Sequence, residues 1–284
     1  NGWPLSLSDL SGNQYYESST LTEYGVFVSF KNNTSGDYDV YSQYILFTGS
    51  LWSGSSGTAI ASGVNDELSS SVAYNPAQDK VIVCYEVSDG SETDIHCNEI
   101  NLPTTVSGTI IISEYPNNQN NPFVYWSGQS FMITWEDSRN STVSNPEQDI
   151  YFQEFNNGNI SLTSGGEAIT TFTQKQERPI ISKYSDTTNQ YVILWEDYRS
   201  TGKEYCANLY GQSFTYQSCA ALGDMNNDGS FDVLDIVTLA GCVLAENCPD
   251  LPNGCAGNMN GDASFDVLDI VTLASCVLAE NCGN

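Results

Sequence analysis

FDVLDIVTLAGCVLAENC at residues 231–248 recurs as FDVLDIVTLASCVLAENC at residues 265–282, the copies differing only at Gly241 against Ser275. Each copy overlaps an oxygen-rich loop, DMNNDGSFDVLD (224–235) and NMNGDASFDVLD (258–269), with side-chain oxygens at loop positions 1, 3, 5, 9 and 12. A hard cation such as Ca²⁺ takes 6–8 oxygen ligands, which a loop delivers from alternating positions while it wraps round the ion. The first loop offers Asp224, Asn226, Asp228 and Asp235 by side chain, Ser230 by its carbonyl, and Asp232 directly or through water, with Gly229 permitting the turn at position 6. The second offers Asn258, Asn260, Asp262, Ser264, Asp266 and Asp269. It has Asn at position 1 and Ala263 in place of the glycine, so weaker binding is expected there.

Behind each loop runs a helix-length apolar stretch. Ile236, Leu239, Ala240, Val243 and Leu244 recur at helical spacing, so two such stripes can bury each other. Over residues 222–284 the tail resembles a type I dockerin, the duplicated calcium-loop-and-helix module. The resemblance implies two Ca²⁺ sites, a calcium-dependent fold and docking onto a cohesin partner through loop positions 10 and 11. Those positions are Val233 and Leu234, then Val267 and Leu268. Many dockerins carry small hydroxyl residues there, so a more apolar partner face is expected, with burial by the other repeat as the structural alternative.

The 284 residues carry 35 acidic against 8 basic side chains. Residues 221–284 hold ten acids and no Lys or Arg. Such a surface repels phosphate backbones and anionic headgroups, which disfavours nucleic acid and membrane surfaces. No apolar run reaches the eighteen residues of a membrane span, and the amino terminus lacks a signal-peptide pattern, as in a processed chain. Nine cysteines with local pair spacings indicate an oxidising compartment, hence secretion. Cys242 with Cys248 and Cys276 with Cys282 repeat one gap at each helix end. Cys84 with Cys97 and Cys206 with Cys219 each bracket a strand pair. Cys255 is left over.

A fainter repeat fills the first two hundred residues. GVFVSF (25–30), KVIVCY (80–85), SFMITW (130–135) and YVILWED (191–197) read as buried strands. Each is followed by a polar turn and a second strand, at 39–43, 94–96, 149–153 and 204–205. Periods near fifty residues built from short strands mark propeller blades. WEDSR (135–139) and WEDYR (195–199) resemble the W-E-D-x-R repeats of secreted bacterial β-propellers. Residues 3–9 alternate like a strand and could close the last blade, of this chain or of a neighbour.

Carboxylates are abundant in this region: Asp39, Glu86, Asp94, Glu136, Asp137, Asp149, Glu196 and Asp197. Paired carboxylates can cleave glycosides, but most of these recur by blade, which favours turn and hydrogen-bond roles over one asymmetric site. The Asp137–Arg139 and Asp197–Arg199 pairs read as strand-end staples. His96 is the single histidine and replaces the tyrosine of the D-I-Y strand. No phosphate-cradling glycine loop occurs. Asn32, Asn33, Asn140 and Asn159 stand in N-x-S/T triplets that permit glycosylation.

The expectation is a mainly β protein with a small α domain: a four-bladed β-propeller over 1–218, then a dockerin-like domain over 219–284. It is expected to be secreted, extracellular or at the cell surface, and non-enzymatic. Its propeller presents a binding surface, with carbohydrate among the candidate ligands. Its tail joins a cohesin-like protein or another copy of the chain in a complex, surface layer or filament, without nucleic acid or membrane insertion. The competing expectation is a glycan-cleaving propeller tethered through the same tail.

Overall fold

A computed structural model describes residues 6–34, 36–103, 105–142, 147–156, 158–160, 162, 165–185, 190–199, 207–215, 222–226, 228–245, 247–248, 251, 253–260, 264–279 and 282. The fold is mainly β, with two short helices. It divides into two compact units, residues 1–182 with 192–213, and residues 183–191 with 214–284.

Among the described residues the strands form four separate sheets, none closed on itself, with antiparallel pairing in the first three. Sheet one runs β1 (Gln14–Leu21), β2 (Gly25–Asn32), β3 (Asp39–Leu46) and β4 (Thr58–Ala61). Sheet two holds β5 (Asp66–Asn75), β6 (Lys80–Ser88) and β7 (Thr93–Asn101), with β8 (Thr105–Val106) and β9 (Ile110–Ser113) both on β7. Sheet three repeats this with β10 (Gln119–Trp126), β11 (Phe131–Asp137), β12 (Asp149–Asn156), β13 (Asn159–Ile160) and β14 (Glu167–Thr170). Sheet four has β15 (Gln176–Ser185), β16 (Gln190–Asp197) and β17 (Asn208–Thr215).

The apolar runs of the sequence become β2, β6, β11 and β16, the second strand of each sheet. They are near-continuous hydrophobic segments because a sheet packed on both faces buries alternate side chains to either side. Phe27, Val40, Tyr44 and Ile60 of sheet one meet Val72, Val81, Val83 and Tyr85 of sheet two. The other face of sheet two, with Ile82, Cys84, Ile95 and Cys97, meets Phe131, Ile133 and Trp135 of sheet three. The expected partner strands stand at β3, β7 and β12, whereas residues 204–205 lie outside the described residues.

Residues 6–9 form no strand. Leu7 accepts a hydrogen bond from the Gln43 amide at 3.0 Å, and Asp9 N–H donates to the Ser55 carbonyl at 2.7 Å, which ties this stretch to sheet one rather than sheet four. Residues 3–5 of the expected closing segment lie outside the described residues.

In the tail, α1 (Val233–Ala245) and α2 (Val267–Leu278) pack through Leu239 and Leu273, both fully buried, with Met225, Cys242, Cys248 and Ala256. Leu244 is not on this stripe. It is 85% exposed, because the buried face is centred on Asp235, Leu239 and Cys242. Among the described residues no helix is long and apolar enough to cross a membrane.

Candidate active site

The first strand of each sheet carries a local irregularity at a corresponding place. Register slips between Tyr16 and Ser18 in β1, Leu68 and Ser71 in β5, and Asn120 and Phe123 in β10. Ser69, Asn121 and Arg178 hold φ of +41°, +51° and +55°, a left-handed conformation uncommon for residues with side chains. A bulge re-aims a side chain and breaks strand alternation. Here the four irregularities bring Glu17, Ser69, Asn121 and Arg178 to the wall of one cavity of about 290 Å³, with Pro122 and Pro179 following two of them.

One carboxylate lines this cavity and two more are bonded to its wall residues. Glu17 lines it and is paired with Lys31 of β2 at 3.0 Å. Glu86 of β6 accepts the backbone N–H of Asn121 at 2.7 Å. Glu136 of β11 accepts the Asn121 side-chain amide at 2.9 Å, the backbone N–H of Arg178 at 2.8 Å, and the Gln148 amide at 3.1 Å. Asn121 therefore stands between two buried acids. Burial pushes the Glu136 carboxyl up to about 7, against the lowering effect of those hydrogen bonds. Burial raises Glu86 as well, offset in part by the Asn121 N–H. Glu196, at the matching place in β16, is instead a partly exposed partner of the Arg178 guanidinium at 3.1 Å.

The two W-E-D-x-R segments build sockets between sheets. Asp137 is fully buried and accepts the Trp135 indole N–H at 2.9 Å and the Arg139 Nε–H at 2.9 Å. The Arg139 guanidinium lies 3.9 Å from the ring centres of both Tyr115 and Tyr151, and donates to Ser113 and to the Gly165 carbonyl. Arg199 repeats this with Asp197, Thr170, Phe172 and Tyr210. Burial would raise Asp197, but hydrogen bonds from Arg199 and Trp195 outweigh it and hold the carboxyl below its ordinary value.

In the first tail loop, Asp224 accepts the N–H groups of Asp228 and Gly229 at 3.1 and 2.9 Å, and Asn226 accepts the N–H of Asp228 at 2.9 Å. Gly229 holds φ of +82°, the conformation expected at position 6. Asp235 accepts the N–H groups of Asn226 and Asp232, and Asp269 those of Asn260 and Asp266, at 3.2 and 2.9 Å in both loops. Asp266 caps α2 with Asp269 as the reciprocal member of a capping box, and Asp232 with Asp235 repeats the exchange at α1. So D-x-x-D serves the helix start as well as the candidate ligand set. Among the described residues no three Asp, Glu, His or Cys side chains converge closely enough to grip a metal in this geometry, the oxygens being turned onto loop amides. The donor chemistry still fits a hard cation. Asp224 and Asp235 are buried carboxylates in a segment without Lys or Arg, and every candidate donor is oxygen. Asp262 lies outside the described residues, and Ser230 and Ser264 lie in the described loops.

Three of the four expected disulfides are present: Cys84–Cys97, directly opposite one another on β6 and β7, Cys242–Cys248 and Cys276–Cys282. Cys206 and Cys219 lie outside the described residues. Asn32 is fully buried with its amide donating to the Ser11 carbonyl. Asn33 is half-buried, and Asn140 and Asn159 are exposed, the Asn140 amide donating to Asp149 at 2.8 Å. Val233, Leu234, Val267 and Leu268 are all exposed, at 60–65%, rather than covered by the opposite repeat.

No family model and no curated protein matches the sequence. Solved structures similar to it include an exo-1,5-alpha-L-arabinanase from a bovine ruminal metagenomic library, with 10% identity over 72% of this chain and 75% of that one, at a TM-score of 0.48. Another is an endo-arabinase from Bacteroides thetaiotaomicron, with 12% identity over 74% and 78%, at 0.45. A third is a GH43 endo-arabinanase from Bacillus licheniformis, with 10% identity over 69% and 71%, at 0.41. At such identities and scores the likeness is one of general fold.

The expectation of a non-enzymatic protein is corrected. Its premise fails in the geometry. Recurrence by sheet does not make the positions equivalent: Lys31, Glu86, Glu136 and Glu196 occupy matching places in four different environments. The sequence signal available was the replacement of a recurring glutamate by Lys31.

Proposed function

We propose that the chain is a secreted glycan-cleaving hydrolase, a four-bladed β-propeller with its reaction cavity where the four first strands meet, joined to a calcium-ordered, dockerin-like tail. The observation that carries this reading is a cavity lined by Glu17 and by Asn121, which is held between the buried acids Glu86 and Glu136, with Glu136 pushed up to about 7. Glycoside hydrolysis needs one carboxyl that still holds its proton near neutral pH and a second that is charged. Glu136 is the proton donor, reaching the glycosidic oxygen when the Asn121 amide swings off its Oε1. Glu17, ion-paired with Lys31, is the charged carboxylate that stabilises the developing positive charge or activates water. The net charge of −27 favours a neutral glycan over a polyanionic one.

The tail is the connector in this reading. Asp224, Asn226, Asp228, Asp232, Asp235 and the Ser230 carbonyl would hold one Ca²⁺, and the matching set from Asn258 to Asp269 a second; the ion would neutralise buried acids and draw each loop onto its helix. The exposed Val233–Leu234 and Val267–Leu268 pairs would meet a cohesin-like partner or another copy of the chain.

The test is release of reducing ends from a panel of neutral polysaccharides. Glu136→Gln and Glu17→Gln are each expected to lower kcat by about 10²- to 10⁴-fold with little change in KM, while Glu196→Gln retains activity. Cleavage of no polysaccharide, or activity indifferent to both substitutions, overturns the assignment.

A further inference from the structure

Between sheets one and two lies a cavity of about 600 Å³, larger than the proposed reaction cavity and separate from it. Ladder register fixes what it corresponds to elsewhere in the fold. Ala61 opposes Val40 in sheet one as Ser113 opposes Ile95 in sheet two and Thr170 opposes Ile150 in sheet three. His96 opposes Tyr85 as Tyr151 opposes Trp135. Gly108 precedes β9 by the same two residues as Gly165 precedes β14. Ser113, Tyr151 and Gly165 are the residues that surround the Arg139 guanidinium. Their counterparts Ala61, His96 and Gly108 all line the cavity. It stands, in sheet two, where an arginine socket stands in sheets three and four.

The sequence explains the missing plug. Where sheet three has Asp137 and Arg139, sheet two has Val87 and Asp89, and where Tyr115 or Phe172 would stack there is Gly63. The socket has kept an acid, moved one strand over. Glu67 is the cross-strand neighbour of Val87, at the place where Gln119 faces Asp137. It is 5% exposed, lines the cavity, and its Oε2 is buried without a hydrogen-bond partner. A buried carboxylate oxygen left in that condition is destabilising, and a planar donor cation would relieve it.

We propose that this cavity binds a guanidinium group from outside the chain, an arginine side chain, with Glu67 as its anchor and His96 as the ring beneath it. Gly63 has no side chain to stack over the group, where Tyr115 and Phe172 stack on the built-in arginines. The contribution of Asp37, Asp39 and Asp66, which act electrostatically on Glu67, keeps the region attractive to a cation.

The test uses the full chain and calorimetric titration with N-acetyl-L-arginine amide, its neutral isostere N-acetyl-L-citrulline amide, and N-acetyl-L-lysine amide. Arginine amide is expected to bind at least tenfold more tightly than either, and Glu67→Gln to abolish the difference. The double variant Val87→Asp with Asp89→Arg supplies the missing plug in cis; it is expected to fold with a raised thermal midpoint and to bind no arginine amide. An arginine-containing peptide binding more tightly than the amide identifies a protein partner as the source, and equal binding identifies the free amino acid class. Equal affinity for arginine, citrulline and lysine amides, or arginine binding that survives in the double variant, overturns the proposal.

Discussion

The Glu136 carboxylate accepts the backbone N–H of Arg178 at 2.8 Å, an N–H presented by a residue holding φ of +55°. One acid thus ties the second strand of sheet three to the first strand of sheet four at Arg178, and the same acid is the one burial pushes up to about 7. Holding the Arg178 backbone and holding a proton come from the same burial.

The two roles separate by substitution. Glu136→Ala leaves the Arg178 N–H and the Asn121 amide without an acceptor and is expected to cost about 1–3 kcal/mol. Glu136→Gln keeps an acceptor oxygen and should cost less than about 1 kcal/mol while losing catalysis. Urea unfolding of both variants beside their rates checks this; equal destabilisation would leave only the structural role.

Stability should fall as pH rises from about 4 to 7. Glu67 and Glu136 are raised to about 7, and Asp94 and Asp149 to about 6, in each case first by burial. The folded chain therefore binds more protons than the unfolded one between the ordinary carboxyl range and those values, and loses stability on releasing them. Asp197, held low, acts in the opposite sense only at more acidic pH. Thermal unfolding at constant calcium should show a higher midpoint at pH 5 than at pH 8, with a smaller difference in Glu67→Gln.

Arg139→Ala strands Asp137, which is fully buried, and empties the space between Tyr115 and Tyr151. Breaking a buried ion pair from one side costs about 3–5 kcal/mol, so the urea midpoint should fall markedly. Replacement by Lys restores charge but not the planar fork and should recover only part of the loss. Complete recovery by Lys would show that charge alone fills the socket.

For the tail, Asp235→Ala should weaken calcium binding more than Asn258→Ala, since Asp235 is fully buried at the loop's closing position. Chelation should lower the unfolding temperature of the tail before that of the sheets. Calorimetry with the reverse order, or one unfolding transition unmoved by chelator, would remove calcium from the account.

Much of the chain was legible because its signals are local. The runs at 25–30, 80–85, 130–135 and 191–197 lie in β2, β6, β11 and β16, and the near pairs Cys84–Cys97, Cys242–Cys248 and Cys276–Cys282 form disulfides. The first strands β1, β5, β10 and β15 were not legible. The register shifts of β1, β5 and β10 and the left-handed Arg178 of β15, with Pro122 and Pro179, break the two-residue alternation by which a strand is recognised. Those strands are the ones that line the candidate site.

The sequence by itself determined the tandem loop-and-helix repeat, the second strands and the recurring W-E-D segments, since each depends on residues close together in the chain. Only the tertiary structure decided that Lys31, Glu86, Glu136 and Glu196 are unlike one another, and that sheet two carries a cavity where its neighbours carry an arginine. Burial and through-space contacts come from residues 35 and 42 positions away, across the gap between sheets, and no local pattern records them.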